Sequence, residues 1–230
     1  MTNERSRWLA VAFIALSSLT LLGSTGCANA LLMPYYLIRG TDSPAIHQAE
    51  VKEIEKGSKI AVVCRSHLNL YGSSNPNADL ATSVTYVVSN NLKDKKKKKL
   101  VWIPYSEIED AFDSEEELNS ISFGKLGAKI GADYIIGIEL DSFETRHSTQ
   151  FYQGKAKVVV RLVDVKNQKN LFVESTPQFT YPPTPIPTSD MEEVEFQKYF
   201  TFKLAKDVSK LFCPYDPHDQ YAQDSDFPVR

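Results

Sequence analysis

Short apolar runs rich in β-branched residues alternate with segments of helical apolar spacing, and this alternation constrains the fold more than any other feature of the chain. KIAVV (59–63), LVWIPY (100–105) and the run 134–140 have the length and composition of buried strands. Apolar residues recur at helical intervals across 80–92, a short helix is predicted over 105–112, and a further helix is predicted over 113–130. Because helical crossovers connect the three strands, we expect them to be parallel.

The second half of the chain predicts a hairpin, a linker and a closing helix. In GKAKVVVRLVDVKNQKNLFVEST (154–176) two strands flank a polar turn. Five prolines in TPQFTYPPTPIPT (176–188) favour an extended linker over a strand. Ser189 and Glu192 fit a capping box that opens a helix ending at Pro214. The predicted order is β-α-β-α-β-β-β-α, and the fold class is α/β, a mixed-sheet α/β sandwich with its helices packed on the sheet.

The first thirty or so residues have the layout of an export signal. Two arginines precede an apolar run, 8–22, that is too short to span a bilayer, and small residues follow it. Ser24-Thr25-Gly26-Cys27 resembles the bacterial lipobox, in which the cysteine is acylated and becomes the new N-terminus. The alternative is ordinary cleavage after Ala30, which would remove Cys27. Lipidation of Cys27 is favoured, and its acyl chains would hold the protein on a membrane.

These features predict the organisation of the whole chain. Residues 1–26 form a lipoprotein signal peptide, and 27–57 form the lipidated N-terminus and a tether that ends in a short helix or exposed arm. Residues 58–213 form a single α/β domain, with the proline-rich linker at 177–188, and 214–230 form a disordered tail. The predicted location is the cell envelope, at the periplasmic face of the outer membrane, because Ala28 resembles the residue that accompanies outer-membrane sorting.

Net charge and the remaining cysteines narrow the function classes. A net charge of −3 argues against a nucleic-acid binder. If Cys27 is lipidated, Cys64 and Cys213 remain, and an even number of cysteines in an oxidising compartment suggests a disulfide. Two separate buried thiols are the alternative, since free cysteine packs well in cores. Both interpretations stay open at this point.

The most conspicuous charge feature is the lysine run inside KDKKKKK (93–99), namely Lys95, Lys96, Lys97, Lys98 and Lys99. The favoured interpretation is a solvated helix C-terminus, where cations complement the helix dipole. The alternative is contact with an anionic surface such as lipid headgroups.

Signatures of catalysis or metal binding are missing from the sequence. It contains no G-x-S-x-G, H-E-x-x-H, P-loop or dinucleotide motif, and its four histidines lack metal-ligand spacing. The carboxylates across 107–117 are typical of a solvated helix start. We therefore predict no catalytic residue, no cofactor and no metal ligand, and a protein that is not an enzyme. PPTPIP (182–187) is either a ligand for a partner or a simple connection.

Three stretches carry a family resemblance: KIAVV, KLGAKIGADYIIGIEL (125–140) and VVVRLVDVKNQKNLFVES (158–175). Together they resemble a group of bacterial envelope lipoproteins that includes the curli-export lipoprotein CsgG, the synthase activator LpoB and the N-terminal domain of TolB. The resemblance spans residues 59–176 and implies an α/β fold outside the cytoplasm. It also implies that Gly131 ends a helix and that Asp133 tightens the turn into the third strand.

The favoured function is therefore a non-catalytic, membrane-anchored lipoprotein that acts as an accessory or scaffold by binding another envelope protein. Two alternatives stay open: a component of an export or secretion assembly, and a cell-wall-acting enzyme whose site is not recognised. The loops leave no room for the long insertions of pore-forming members of the group. Self-association is a further open prediction.

Overall fold

A computed structural model describes residues 42–66, 75–95, 99–112 and 114–217, which build a six-stranded sheet with helices on both faces. The signal peptide, Cys27, the tether up to residue 41 and the tail beyond 217 lie outside the described residues, so their predictions remain untested.

The helices and strands follow one another in the predicted alternation, with additions. The strands are β1 (Lys59–Ser66), β2 (Val101–Ile103), β3 (Tyr134–Arg146), β4 (Phe151–Asp164), β5 (Lys169–Ser175) and β6 (Phe179–Pro187). The helices are α1 (Gln48–Glu53), α2 (Pro76–Lys95), α3 (Tyr105–Asp110), α4 (Glu115–Ser120), α5 (Phe123–Ile130) and α6 (Glu193–Ser209).

The sheet is mixed, as the sequence predicted. Its order is β2-β1-β3-β4-β5, and β6 pairs with the first half of β4. Strand β1 is parallel to both β2 and β3, whereas the β3–β4, β4–β5 and β4–β6 pairs are antiparallel. The parallel pairs are those joined through helices, which confirms the crossover argument. The α/β sandwich is confirmed.

Each face of the sheet carries its own apolar cluster because side chains alternate between the faces of a strand. One face packs against α2 and α6, whose inward residues include Val84, Val88 and Leu204. The other face packs against the short helices α3, α4 and α5 through residues such as Ile108 and Leu126. Two apolar faces covered by two helix layers make this a three-layer domain.

The two ends of the sheet have different surroundings. At the basal end, β1, β2 and β3 begin, with Lys59 opposite Val101 and Ile60 opposite Tyr134. Helix α2 starts at the far end of β1 and α6 starts at the far end of β3, so both helices end at the basal end. At the distal end, the turn 147–150 joins β3 to β4.

The proline-rich segment is an edge strand, and its prediction as a linker was wrong. Strand β6 pairs Thr180 with Lys155 and Pro187 with Phe151. Between these pairs the register shifts, and Gln153 Nε2 donates hydrogen bonds of 3.1 Å to the carbonyls of Pro182 and Pro183. Prolines are tolerated here because they lie on an edge strand at a bulge, where missing N–H donors interrupt no ladder.

Two predicted helices also differ from the structure, one in its start and one because it is divided in two. Helix α6 begins at Glu193 instead of after Ser189, because the Ser189 hydroxyl donates to Asp190 Oδ1 at 2.9 Å and caps no helix. The single helix predicted over 113–130 is two helices, each with its own serine N-cap: Ser114 accepts from Glu117 N, and Ser122 accepts from the first turn of α5. Gly131 ends α5 with a φ of 68°, as expected of a helix stop.

Residues 43–57, which the sequence assigned to the tether, belong to the folded body. Val51 and Ile54 are buried in the same cluster as α2 and α6. Ser43 pairs with Tyr215 through two backbone hydrogen bonds of 2.7 and 3.0 Å, so at least Tyr215 of the predicted tail is ordered against the body. Among the residues described, no helix combines the length and apolar character needed to cross a bilayer.

Candidate functional site

The junction between tether and body lies beside the end of α6. Besides the Ser43–Tyr215 pair, Ile46 N donates to Lys210 O and His47 N donates to Leu211 O, each at 3.0 Å. These bonds fix the first residues of the body to the last turn of α6. The chain leading to Cys27 therefore enters the body at one defined place, which we call the tether junction.

His47 fastens α1 to the sheet edge. Its ring stacks on Phe172 of β5 with centroids 3.8 Å apart and an interplanar angle of 5°. Its Nδ1 lies 3.7 Å from a carboxylate oxygen of Glu50, and its Nε2 lies 3.6 Å from one of Glu174. Within the described ranges, no group of three or more His, Cys, Asp or Glu side chains is placed to hold a metal ion.

A cleft of about 280 Å³ opens between α2 and α6 close to the tether junction. Lys206, Lys210 and Asn91 line it, together with Asp207. Lys210 Nζ lies 2.6 Å from Asp207 Oδ1 and 5.7 Å from the ring centre of Tyr215. Both lysines are half-buried, and Lys206 Nζ lies 5.6 Å from the ring centre of Phe202.

The lysine run begins in the last turn of α2, which lies at the basal end of the sheet. Lys95 is the last residue of α2, and exposed Lys99 comes two residues before β2, whose first residue pairs with the start of β1. Lys96, Lys97 and Lys98 lie outside the described residues. The structure thus places Lys95 and Lys99 at the basal end and leaves the two interpretations of the run as predictions.

Ile46 stands at the tether junction, since its N–H donates to the Lys210 carbonyl. Ile46 is one of the few large apolar side chains that stand in solvent, with 56% of its surface exposed.

Of the two interpretations left open for Cys64 and Cys213, the disulfide is not formed in the structure. Cys64 and Cys213 are separate buried thiols: Cys64 Sγ donates to Asn77 Oδ1 at 3.6 Å, and Cys213 Sγ donates to Val88 O at 3.9 Å. These partners are eleven residues apart on α2, which is about 16 Å along a helix. Two sulfurs held that far apart cannot bond. Burial raises the pKa of the Cys64 thiol, which suppresses the nucleophilic thiolate.

An ion cluster that the sequence analysis missed lies on the face covered by α3–α5. Glu139 of β3 accepts hydrogen bonds from Arg65 of β1, at 2.6 Å from Nη2, and from Arg161 of β4. Arg65 also donates to the Ile121 carbonyl at 2.8 Å and lies 4.0 Å above the ring of Phe123. Each charged residue sits within or at the end of an apolar strand run, and that sequence signal could have identified it.

A second set of exposed apolar side chains lies at the distal end. Phe151 at the start of β4 and Val194 in the first turn of α6 are each more than a third exposed. Beside them Glu193 accepts from Arg146 Nε at 3.1 Å, and this hydrogen bonding lowers the pKa of the Glu193 carboxyl below its ordinary value. The first turn of α6 is acidic, with Glu193 and Glu195. We call Phe151, Val194 and these carboxylates the distal surface.

No protein-family model and no curated protein matches the sequence. Solved structures with a similar arrangement include bacterial lipoproteins. Lipoprotein GNA1162 from Neisseria meningitidis is 14% identical, with a TM-score of 0.39, and the match covers 66% of this chain and 98% of that one. A PelC dodecamer from Paraburkholderia phytofirmans is 13% identical over 75% of this chain and 95% of its own, with a TM-score of 0.37.

The LpoB C-terminal domain from Salmonella enterica is 15% identical, with a TM-score of 0.32, over 59% of this chain and 95% of that domain. At TM-scores below 0.5, no property of these proteins is transferred to this chain.

Proposed function

We propose that this protein is a non-catalytic envelope lipoprotein that acts as an accessory or scaffold. Cleavage of the 1–26 signal peptide leaves Cys27 acylated at the N-terminus, and the body from Ser43 onward presents its distal surface to another envelope protein. The predicted export signal and lipobox support the anchor. The observation that supports the choice of binding surface is that the tether junction follows the last turn of α6, whereas the distal surface includes the first turn of the same helix.

The distal surface has the composition of a protein-binding patch. It combines exposed apolar side chains, Phe151 and Val194, with a charged rim formed by Glu193, Glu195 and Arg146. Protein interfaces are typically built with an apolar centre and a polar rim. The patch is also held rigidly, because Tyr152 and Phe196, next to its members, stack with ring centres 4.9 Å apart.

Site-specific photo-crosslinking in native membranes tests the proposal. A photoreactive amino acid replaces Phe151 or Val194, and the matched control replaces Tyr86, an even more exposed side chain on the outer side of α2. We expect a discrete crosslink to an envelope protein from the two distal positions and none from Tyr86.

Other outcomes identify the alternatives. Crosslinks from the distal positions to further copies of this chain, with ring-shaped particles in detergent, would support a component of an export assembly. Turnover of cell-wall fragments by the purified protein, with no distal crosslink, would overturn the scaffold proposal in favour of an enzyme.

A further inference from the structure

We infer that the cleft between α2 and α6 binds a segment of this same chain, residues 218–221 (HDQY), which directly follow the cleft wall. In this arrangement the carboxylate of Asp219 pairs with the ammonium group of Lys203, and the ring of Tyr221 packs on the apolar wall of the cleft. The inference goes beyond the proposed function, since it needs neither the lipid anchor nor a partner protein. It replaces the prediction of a disordered tail for residues 218–221.

The course of the backbone delivers this segment to the cleft. Pro214, Tyr215 and Asp216 are consecutive residues that form part of the cleft lining. Two backbone hydrogen bonds, of 2.7 and 3.0 Å, fix Tyr215 at the tether junction. Asp219 follows Asp216 by three residues, so the Cα atoms of the two lie at most about 11 Å apart. The carboxylate of Asp219 is therefore within reach of the cleft whatever path the intervening backbone takes.

Lys203 provides the cleft with a buried cation. Its side chain lines the cleft, yet only 4% of its surface is exposed. Its Nζ lies 5.3 Å from the ring centre of Tyr181 and 5.2 Å from that of Tyr199, and the two phenol oxygens are 3.3 Å apart. The π faces of two rings stabilise an ammonium group at such distances. Because little water reaches this site, a carboxylate is attracted to Lys203 more strongly than to a lysine in solvent.

The charges of the cleft and of the tail are complementary. The cleft lining carries three lysines and two aspartates, namely Lys203, Lys206, Lys210, Asp207 and Asp216. Lys210 Nζ already pairs with Asp207 at 2.6 Å. Lys206 Nζ lies 5.6 Å from the ring centre of Phe202, so the inference assigns Lys203, and neither of the other two lysines, to the tail carboxylate. Residues 218–230 contain three aspartates against one arginine, so a positive cleft faces a negative segment.

The size and the apolar wall of the cleft suit a short peptide stretch. Val87 of α2, Phe179 of β6 and Pro214 contribute apolar side chains to the lining. Tyr221 offers a ring that packs on such a wall and a hydroxyl that stays at the polar rim. The volume of about 280 Å³ is near the lower end of the range for ligand sites, which favours a few side chains over a large ligand.

Limited proteolysis of the full-length protein by chymotrypsin tests the inference, because this protease cleaves after aromatic residues such as Tyr221. Ser225→Tyr creates a reference site four residues further along, outside the bound stretch. Mass spectrometry measures the rate of cleavage at each site. Asp219→Asn removes the carboxylate without changing the body, Lys203→Met removes its partner, and Lys198→Gln is the matched control, an exposed lysine on α6.

We expect cleavage after Tyr221 to be at least about tenfold slower than at the reference site, because cleavage requires the segment to leave the cleft. Asp219→Asn and Lys203→Met should each abolish most of this protection, and the two together should have no larger effect than either alone. Lys198→Gln should leave it unchanged. Where Lys203→Met prevents folding, the tail variant Asp219→Asn decides the outcome.

Equal cleavage rates at the two sites of the parent protein would overturn the inference and leave the cleft for another occupant, such as an acidic segment of a partner. Protection of Tyr221 that survives Asp219→Asn would overturn it as well, since the segment would then be held without the assigned ion pair.

Discussion

Replacing Gly154 by alanine tests how α6 is seated on the distal half of the sheet. A Cβ atom at this position would lie 2.1 Å from Cδ2 and 2.4 Å from Cε2 of Phe200. The ring would have to retreat by more than about 1 Å to reach ordinary van der Waals separation. It has little room, because its centre lies 5.4 Å from that of Phe143, 5.9 Å from Phe179 and 6.3 Å from Phe196.

The expected cost of Gly154→Ala is about 3 kcal/mol in the free energy of unfolding, at the upper end for overpacked cores, because the obstructing group is a fully buried ring. Urea unfolding followed by circular dichroism measures it, and the midpoint should fall by about 1 M. The matched control is Phe200→Ala in both backgrounds, since alanine lacks the Cγ, Cδ2 and Cε2 atoms that clash.

The double variant should therefore lose less unfolding free energy than the sum of the two single losses, by at least about 1 kcal/mol. A Gly154→Ala variant as stable as the parent, or strictly additive effects, would refute the described packing of α6 against β4.

Three further predictions concern other parts of the fold. Glu139→Gln should cost about 3 kcal/mol in urea unfolding, because it leaves the guanidinium groups of Arg65 and Arg161 without their shared carboxylate; an unchanged midpoint would contradict the cluster. Ile54→Ala should cost about 2–4 kcal/mol in the same assay, whereas a residue of a free tether would cost nothing. Burial alone would raise the pKa of Asp164, but hydrogen bonds from its turn lower that pKa below the ordinary value. Its stabilising contribution should be complete above about pH 4 and lost as the pH falls further, and Asp164→Asn should flatten that part of the pH–stability curve.

The sheet could be predicted because its strand segments are apolar and rich in β-branched residues. The segments between them carry apolar residues at helical spacing, which indicated the crossover helices. Strand β6 was missed because its five-proline neighbourhood has a low strand propensity. Strand propensity gives no information about the register shift that lets these prolines lie in an edge strand. The charged composition of 47–57 predicted a short helix or an exposed arm but gave no sign that Val51 and Ile54 pack into the core. In both places tertiary contacts outweighed local preference.

The candidate surfaces were less predictable than the fold. The tether junction could not be read from the sequence, because it depends on Ser43 meeting Tyr215, far away in the chain. Arg65, Glu139 and Arg161 likewise come from three strands, and only the sheet register brings them together. The possibility of a disulfide came from counting cysteines, and a count gives no information about the distance between two thiols in the fold.

The central claim is that fatty acyl chains on Cys27 hold this body at a membrane outside the cytoplasm. Intact mass spectrometry of the protein isolated from the membrane fraction tests it most directly. The account predicts a mature chain that begins at Cys27 and carries the added mass of its acyl groups. An unmodified chain that begins at Leu31, or a protein recovered without the membrane, would contradict it.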